Sequence, residues 1–188
     1  HLEAAGDLSA VVFDKTGTLT TGELTVTRLS PFEGVEGSDL LRTAAGIEQN
    51  SRHPIAKAVT DIARKANVRF ENVEEVEESA GKGVRGRIDG SQVMVGRANW
   101  LEESGVDMRA ARTDTHKADV EGMSLLYVAR DGRCLGWIGL EDKARDEARN
   151  ATSKLKKLGV RRLTMLTGDR WSVAKKVAGE LGCTEGQA

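Results

Sequence analysis

The segment from Asp14 to Thr20 places one carboxylate, one ammonium group and three threonine hydroxyls around a glycine, directly after the apolar run 8–13. An aspartate at the carboxyl end of a buried parallel strand lies where open α/β sheets bind their ligands. Its carboxylate can attack a phosphoryl group and form an acyl phosphate, and the N–H groups and hydroxyls after it suit phosphate oxygens. A strand ending in a turn would explain Asp14 and Lys15 alone, but it does not explain the whole segment. The segment therefore predicts that Asp14 accepts a phosphoryl group.

Glu48 and His53 are polar residues that flank the break between two predicted helices. His53 precedes Pro54, a residue that suits the first position of a helix, so taken alone His53 is better explained as a helix cap than as a ligand-binding residue. Glu48 would suit a solvated position on a helix. Taken by themselves, these two residues therefore do not indicate a binding site.

Three closely spaced glycines, Gly81, Gly83 and Gly86, reproduce the GxGxxG spacing of a dinucleotide-binding loop. That loop requires a preceding strand and a following helix. Here a polar acidic stretch precedes the glycines and a strand follows them, so we reject the dinucleotide interpretation. The glycines are predicted to mark turns at the edge of a sheet.

Two hairpin signals, Asp89-Gly90 and Asp131-Gly132, each separate a pair of short strands. Helical spacing is predicted at 38–48 and after Pro54, so the middle of the chain is predicted to be an antiparallel sheet with helices packed on it. This region, residues 25–137, is predicted to be an inserted α+β domain.

The order of predicted elements changes near Glu141. A helix at 142–158, an apolar strand at 161–166 and a final helix at 171–181 follow one another from there. Strand, loop and helix in this order are typical of a parallel α/β layer, to which the buried strand 8–13 is also assigned. The predicted fold is therefore α/β, with a partial, discontinuous parallel domain split by the insert. The predicted domains are residues 1–24 with 138–188, and residues 25–137.

The composition is that of an ordinary globular chain of 188 residues, enough for one large or two small domains. Its 28 basic and 29 acidic residues leave a net charge of −1, which argues against a nucleic-acid-binding surface. No apolar run reaches the roughly 18 residues that a membrane span needs, and no signal peptide is recognisable. Cys134 and Cys183 lack metal-type spacing and are expected to be thiols in a reducing compartment. Because the chain starts at His1, we expect it to be a piece of a longer protein.

The segment 14–20 resembles the phosphorylation motif DKTGT(L/I)T of the P-type ATPases at every position. These ATPases are haloacid-dehalogenase-like enzymes, so the resemblance implies a haloacid-dehalogenase-like phosphorylation domain. It also implies that Asp14 is phosphorylated, that the Asp14 carboxylate and the Thr16 carbonyl ligate Mg²⁺, and that Lys15 helps to offset charge. Phosphatases of the superfamily carry a second aspartate at the position of Thr16 as general acid–base, so its absence here favours a long-lived intermediate and a pump.

The tripeptide Thr167-Gly168-Asp169 resembles the TGD motif of the same family, and the resemblance places it beside the transferred phosphoryl group. Alone, the tripeptide would more often be a helix N-terminus. The segment from Asp142 to Arg145 fits the DxxR segment of the family, expected to be a hinge between the domains. The family's later lysine and GDGxND segment, which completes the Mg²⁺ site, are absent. The chain is therefore expected to bind nucleotide but to autophosphorylate weakly or not at all.

The segment from Ser51 to Ala56 resembles the SxHPxA motif of the heavy-metal-transporting P-type ATPases, and Glu48 lies five residues ahead of His53 as in that subfamily. The resemblance implies that Glu48 and His53 position the adenine ring of ATP. It also implies that three glycines allow the backbone to approach the nucleotide. These are Gly81, Gly83 and Gly96.

Taken together, the resemblances imply the cytosolic ATP-binding and phosphorylation fragment of a heavy-metal cation-transporting P-type ATPase. Implied partners are ATP, Mg²⁺, the actuator and transmembrane domains of the same chain, and a heavy-metal cation bound by absent membrane segments. The implied location is the cytoplasmic face of a membrane, and the metal (Cu, Zn, Cd, Pb or Co) stays open. Two alternatives are a stand-alone haloacid-dehalogenase-like phosphatase or phosphotransferase and a non-catalytic nucleotide sensor. Thr16 argues against the first, and intact Asp14 and Thr167-Gly168-Asp169 argue against the second.

Overall fold

The computed structural model describes residues 8–114, 122–168, 171–183 and 185–187. Tertiary contacts divide the chain into two compact units. The split unit comprises the described residues of 8–23, 122 and 142–187, and the inserted unit those of 24–114 and 123–141. No helix in the described ranges is long and apolar enough to cross a bilayer. The predicted functional domains, with boundaries at 24/25 and 137/138, stay a prediction.

The helices and strands follow one another along the chain in a mixed α and β order. They are β1 (Ala10–Asp14), β2 (Thr20–Pro31), α1 (Gly37–Glu48), α2 (Pro54–Lys65), β3 (Val73–Ser79), β4 (Gly83–Ile88), β5 (Ser91–Gly96), α3 (Ala98–Glu103), β6 (Ser124–Arg130), β7 (Arg133–Ala144), α4 (Asp146–Lys157), β8 (Arg162–Leu166), α5 (Trp171–Leu181) and β9 (Glu185–Gln187).

The split unit is built on a parallel sheet in the order β1-β8-β9, which confirms the predicted parallel α/β layer. Helix α5 buries residues at i, i+1, i+4, i+5 and i+8, the spacing of one helical face. Helix α4 carries Asp146 and Glu147 in its first turn and lysines in its last turn, which complements the helix dipole. The core of this unit consists of Leu19, Ala148, Met165, Ala174, Val177, Ala178 and Leu181, with Phe13 packed against it.

Strand β1 is not fully buried, and the expectation from its apolar composition was wrong in this respect. Its residues alternate between half-buried and exposed, and Val12 is 58% exposed. The reason is that only one face of β1 packs against the core cluster in the described part of the chain. Phe13 packs against the core cluster, whereas Val12 points to the opposite face, since side chains alternate along a strand.

The inserted unit contains a six-stranded sheet in the order β2-β7-β6-β5-β4-β3, and the four strand pairs from β3 to β7 are antiparallel. Both predicted hairpin turns are confirmed. Asp89 and Gly90 have φ angles of 49° and 79°, and Asp131 and Gly132 have 48° and 75°. Two consecutive residues with positive φ match the right-handed twist of the strands that they join.

Two apolar clusters stabilise the inserted unit. The larger one places α1 and α2 against the sheet and includes Leu40, Ile47, Val59, Ile88 and Ile138, all of them fully buried. The second one gathers Trp100, Leu101, Tyr127 and Trp137. This antiparallel sheet with packed helices is the architecture that the sequence predicted for the middle of the chain.

The helix predicted at 142–158 begins four residues later than expected, at Asp146. Asp142 instead belongs to strand β7. The physical reason lies in the contacts of its carboxylate, which accepts hydrogen bonds from Thr20 and Gly22. Those contacts hold residue 142 in the strand pairing.

Candidate functional site

Asp14 is the last residue of β1 and its side chain is exposed. The parallel register pairs Asp14 with Leu166, so Thr167 and Gly168 follow directly at the end of the neighbouring strand. The structure thereby brings Asp14 and the start of the Thr167-Gly168-Asp169 motif together at the carboxyl ends of two parallel strands, where parallel α/β sheets bind ligands. Asp169, the third residue of the second motif, lies outside the described residues.

The loop after Asp14 leaves helical geometry at Thr16 and Gly17, and Gly17 has a φ of 78°. A Cβ at Gly17 would meet no atom within 4 Å, so the backbone conformation, and not lack of space, favours glycine there. Thr16, Gly17 and Thr18 are exposed, whereas Lys15 and Leu19 are buried. The small residues of the loop are therefore exposed beside Asp14, and the buried Lys15 and Leu19 fix the two ends of the loop.

Asp142 is the main anchor on the inner side of this loop. Its carboxylate lies 3.3 Å from the Lys15 ammonium group and accepts hydrogen bonds from the Thr20 hydroxyl at 2.6 Å and the Gly22 N–H at 3.0 Å. The side chains of Lys15 and Asp142 are only 5% and 6% exposed. Lys15 thus pairs with Asp142 in this structure, and its contact with a phosphoryl group stays a prediction.

Arg145 is a second support for the same loop. Its guanidinium donates hydrogen bonds to the carbonyls of Gly17 and Thr20, each at 3.0 Å, and its backbone N–H donates to Leu19 at 2.9 Å. Sequence reasoning assigned the segment from Asp142 to Arg145 to a hinge and missed this role. The sequence signal for this role was the DxxR spacing, which places the side chains of Asp142 and Arg145 close together in the chain.

A cavity in the inserted unit collects four of the five residues that were predicted to bind nucleotide, namely Glu48, His53, Gly81 and Gly83. We call this cavity the Glu48 pocket. Its full lining is Glu48, Ser51, His53, Ile55, Glu78, Ser79, Gly81, Lys82, Gly83, Val84, Arg97 and Leu126. Gly96, the fifth predicted residue, does not line the pocket.

Gly83 and Gly96 face each other across the β4–β5 pair, and both lie against Trp100. A Cβ on Gly83 would overlap the Val95 carbonyl, and a Cβ on Gly96 would come within 2.8 Å of the Trp100 ring. The packing of the strands and of Trp100 therefore requires glycine at both positions. Gly81 differs, because it has a φ of 69° and open space around it.

Glu48 is the chemically unusual residue of the pocket. It ends α1, it is 3% exposed, and no side chain in the described ranges donates a hydrogen bond to its carboxylate. Burial and, to a smaller extent, the nearby charge of Glu78 raise the pKa of Glu48 to about 7. A buried carboxylate without a partner is costly, so a group that faces a cavity in this state is suited to a ligand that brings a donor.

His53 stands at the start of α2 and plays the capping role that its position before Pro54 favours. Its Nδ1 accepts a hydrogen bond from the Ile55 N–H at 3.2 Å, and Pro54 occupies the first helical position. With Nδ1 as acceptor, the neutral ring carries its proton on Nε2, where it can act as a donor. Capping and ligand binding are thus compatible for this residue.

The family model that matches this chain is that of the haloacid dehalogenase-like hydrolases, and it covers residues 8–188. The chain belongs to this family. It is 42% identical over 96% of its length to a copper-exporting P-type ATPase B of Archaeoglobus fulgidus. The match covers 25% of that relative, so the chain spans about a quarter of its length.

Solved structures agree with this assignment. A zinc-transporting PIB-type ATPase in an E2.Pi state superposes with a TM-score of 0.81 and 35% identity, covering 100% of this chain and 30% of that one. The catalytic domain of the CPx-ATPase CopB-B, studied for its changes upon nucleotide binding, superposes with a TM-score of 0.74 and 27% identity, covering 98% of this chain and 62% of that one. The predicted resemblance to heavy-metal P-type ATPases is confirmed.

Proposed function

We propose that this chain is the ATP-binding and phosphorylation portion of a heavy-metal-exporting P-type ATPase, on the cytoplasmic face of a membrane. The observation that carries the proposal is the exposed Asp14 at a sheet edge next to Thr167, on a loop fixed from behind by Asp142 and Arg145. A nucleophile needs an open approach and a fixed position, and this arrangement supplies both.

In the proposed reaction, a carboxylate oxygen of Asp14 attacks the γ-phosphorus of ATP, the bond from that phosphorus to the bridging oxygen breaks, and ADP leaves. The product is an acyl phosphate on Asp14. Thr16 supplies no carboxylate to activate water, so the acyl phosphate is expected to persist. That persistence suits a pump, in which the intermediate must outlast a conformational change.

The exposed carboxylate of Asp14 and the carbonyl of Thr16 on the non-helical part of the loop are suitable oxygen ligands for Mg²⁺. No group of three or more metal-binding side chains occurs in the described ranges. In the proposed pump, the remaining ligands of the ion would come from the family's GDGxND segment, from phosphate oxygens and from water. When bound, Mg²⁺ offsets negative charge on the transferred group.

We propose that the Glu48 pocket holds the adenine of ATP. Glu48 is a buried acceptor, and the amino group of adenine is a donor of matching chemistry. Ile55, Val84 and Leu126 provide apolar surface for the ring. The solved catalytic domain of CopB-B was studied for its conformational changes upon nucleotide binding, which supports nucleotide binding by this chain.

The transported cation and the remaining domains belong to the proposal as well. The relatives include a copper exporter and a zinc transporter, so the family leaves the metal open. We propose that membrane segments of the full pump bind the cation, and that an actuator domain of the same protein acts on the phosphorylated loop.

The test is phosphoenzyme formation in the full-length pump that contains this chain, with radiolabelled ATP and Mg²⁺. We expect an acid-stable, hydroxylamine-sensitive label that is absent in Asp14→Asn. Steady hydrolysis of a generic phosphate ester with no trapped label would support a phosphatase instead. Nucleotide binding with no label under any condition would support a sensor. A titration of the chain with ATP, compared with His53→Ala, tests the pocket separately.

A further inference from the structure

The Glu48 pocket carries charges of both signs. Glu48 is 3% exposed, and the exposed Glu78 lies near it and lines the same pocket. Two cations, Lys82 and Arg97, also line the pocket and are exposed to solvent. The buried charge is therefore acidic, whereas the exposed residues of the lining include two cations and one carboxylate.

Lys82 and Arg97 are direct neighbours at the end of the β4–β5 pair, Lys82 just before β4 and Arg97 just after β5. Gly83 pairs with Gly96, and the next step of the ladder is a hydrogen bond of 2.9 Å from the Arg97 N–H to the Lys82 carbonyl. Both cations line the same pocket as Val84, a residue of the core that packs against α1 and α2.

Two like charges placed directly opposite each other destabilise a sheet unless something compensates them. The cations within β4 are compensated, because Arg85 pairs with Glu77 and Arg87 pairs with Glu75. Within the described ranges, neither Lys82 nor Arg97 has an acidic partner. Their arrangement suits an anion that enters the pocket.

We infer that Lys82 and Arg97 contact the phosphate chain of the bound nucleotide and make the pocket selective for nucleoside triphosphates over the bare nucleoside. This inference rests on the proposed function, since it takes the base to lie at Glu48. Glu48 contacts the base and the two cations contact the phosphates, so affinity should increase with the number of phosphates. Contacts between ionised partners are the strong kind of hydrogen bond, so the effect on affinity should be measurable even at an open site.

The experiment is calorimetric titration of this chain with ATP, ADP, AMP and adenosine at fixed Mg²⁺ and ionic strength. In the wild type we expect affinity to rise with phosphate number. In Lys82→Met/Arg97→Met, ATP affinity should fall about tenfold, whereas adenosine affinity should stay within about twofold. The dependence of ATP affinity on salt should weaken in the same variant.

Three further variants separate the possible causes of a change in ATP affinity. Lys65→Met/Arg69→Met removes the same charge from exposed positions outside the pocket and should leave ATP affinity near the wild-type value. Lys82→Arg/Arg97→Lys keeps both charges and should retain most of the ATP affinity. Glu48→Gln should weaken all four ligands, adenosine included.

The outcomes distinguish this inference from the proposed function. Equal losses for ATP and adenosine in Lys82→Met/Arg97→Met would overturn the phosphate role while leaving nucleotide binding intact. An ATP affinity unchanged by that variant would overturn it too. Absence of binding of any of the four ligands to the folded wild-type chain would overturn the nucleotide pocket itself, and with it this inference.

Discussion

The phosphoryl-accepting loop and the Glu48 pocket distribute exposure and charge in opposite ways. In the loop, the reactive Asp14 is exposed, and its supports Lys15 and Asp142 are buried and paired. In the pocket, the reactive Glu48 is itself buried and has no hydrogen-bond donor in the described part of the chain. In the loop, an exposed nucleophile is therefore held by buried residues that pair with each other. In the pocket, a buried carboxylate has no donor among the described residues and would gain one from a ligand. The two sites should respond differently to mutation.

Replacing the nucleophile should produce the largest functional effect and almost no effect on stability. In Asp14→Asn of the full-length pump, we expect phosphoenzyme formation to fall to background, because an amide cannot form the acyl phosphate. The free energy of unfolding of the chain should change by less than about 0.5 kcal/mol, because the side chain is exposed. Acid-quenched labelling and urea unfolding measure the two quantities. A large loss of stability would contradict the comparison.

Removing the anchor of the loop should give the largest loss of stability. Asp142→Ala breaks the buried Lys15–Asp142 pair and removes the acceptor of the Thr20 and Gly22 hydrogen bonds, and breaking a buried pair costs about 3–5 kcal/mol. Urea unfolding of the chain near neutral pH measures this cost. In the control Lys15→Met/Asp142→Asn, both charges are removed and an amide oxygen remains for Thr20 and Gly22, so the loss should be less than half as large. Equal losses in the two variants would show that packing, and not charge, supports the loop.

Glu48→Gln should have the opposite effect and stabilise the chain. Below pH 4.5 the carboxyl group is protonated in both the folded and unfolded states. As the pH rises to about 7, ionisation in the unfolded state alone lowers the free energy of unfolding. Above that pH the burial of charge costs on the order of 3 kcal/mol.

We therefore expect Glu48→Gln to raise the free energy of unfolding by about 2 kcal/mol at pH 8 and by little at pH 4.5. Urea unfolding at the two pH values checks the difference, and Glu78→Gln serves as the control with a smaller gain. The same Glu48→Gln variant should bind ATP more weakly. Stability that does not respond to pH in this comparison would argue that Glu48 has a partner in solution.

The smallest effect expected concerns the two roles of His53. His53→Ala removes both the cap of α2 and the imidazole, and loss of a cap costs about 1 kcal/mol. His53→Asn restores a good capping side chain but not the imidazole. Stability should recover in the asparagine variant, whereas ATP affinity should stay low in both. Recovery of both properties in His53→Asn would reduce His53 to a helix cap.

Much of the fold could be predicted because it depends on short-range signals. The two Asp-Gly turns were located correctly, since their positive φ angles depend on the turn residues themselves. The start of α2 at Pro54 and the span of α5 also follow from local spacing. The start of α4 was wrong by four residues, because a strand pairing competes with helix formation at Asp142.

The features of the candidate site also differ in whether the sequence or only the tertiary structure determined them. The sequence by itself determined Asp14 as a candidate from residue types and spacing, and it determined Glu48 and His53 through the resemblance of their segment to the SxHPxA motif. Only the tertiary structure decided that Lys15 is buried against Asp142, a residue 127 positions away. It also decided that the packing of Trp100 requires Gly83 and that Glu48 is an unpaired buried acid. Burial and pairing depend on which distant residues surround a group, and only the folded chain brings those residues together.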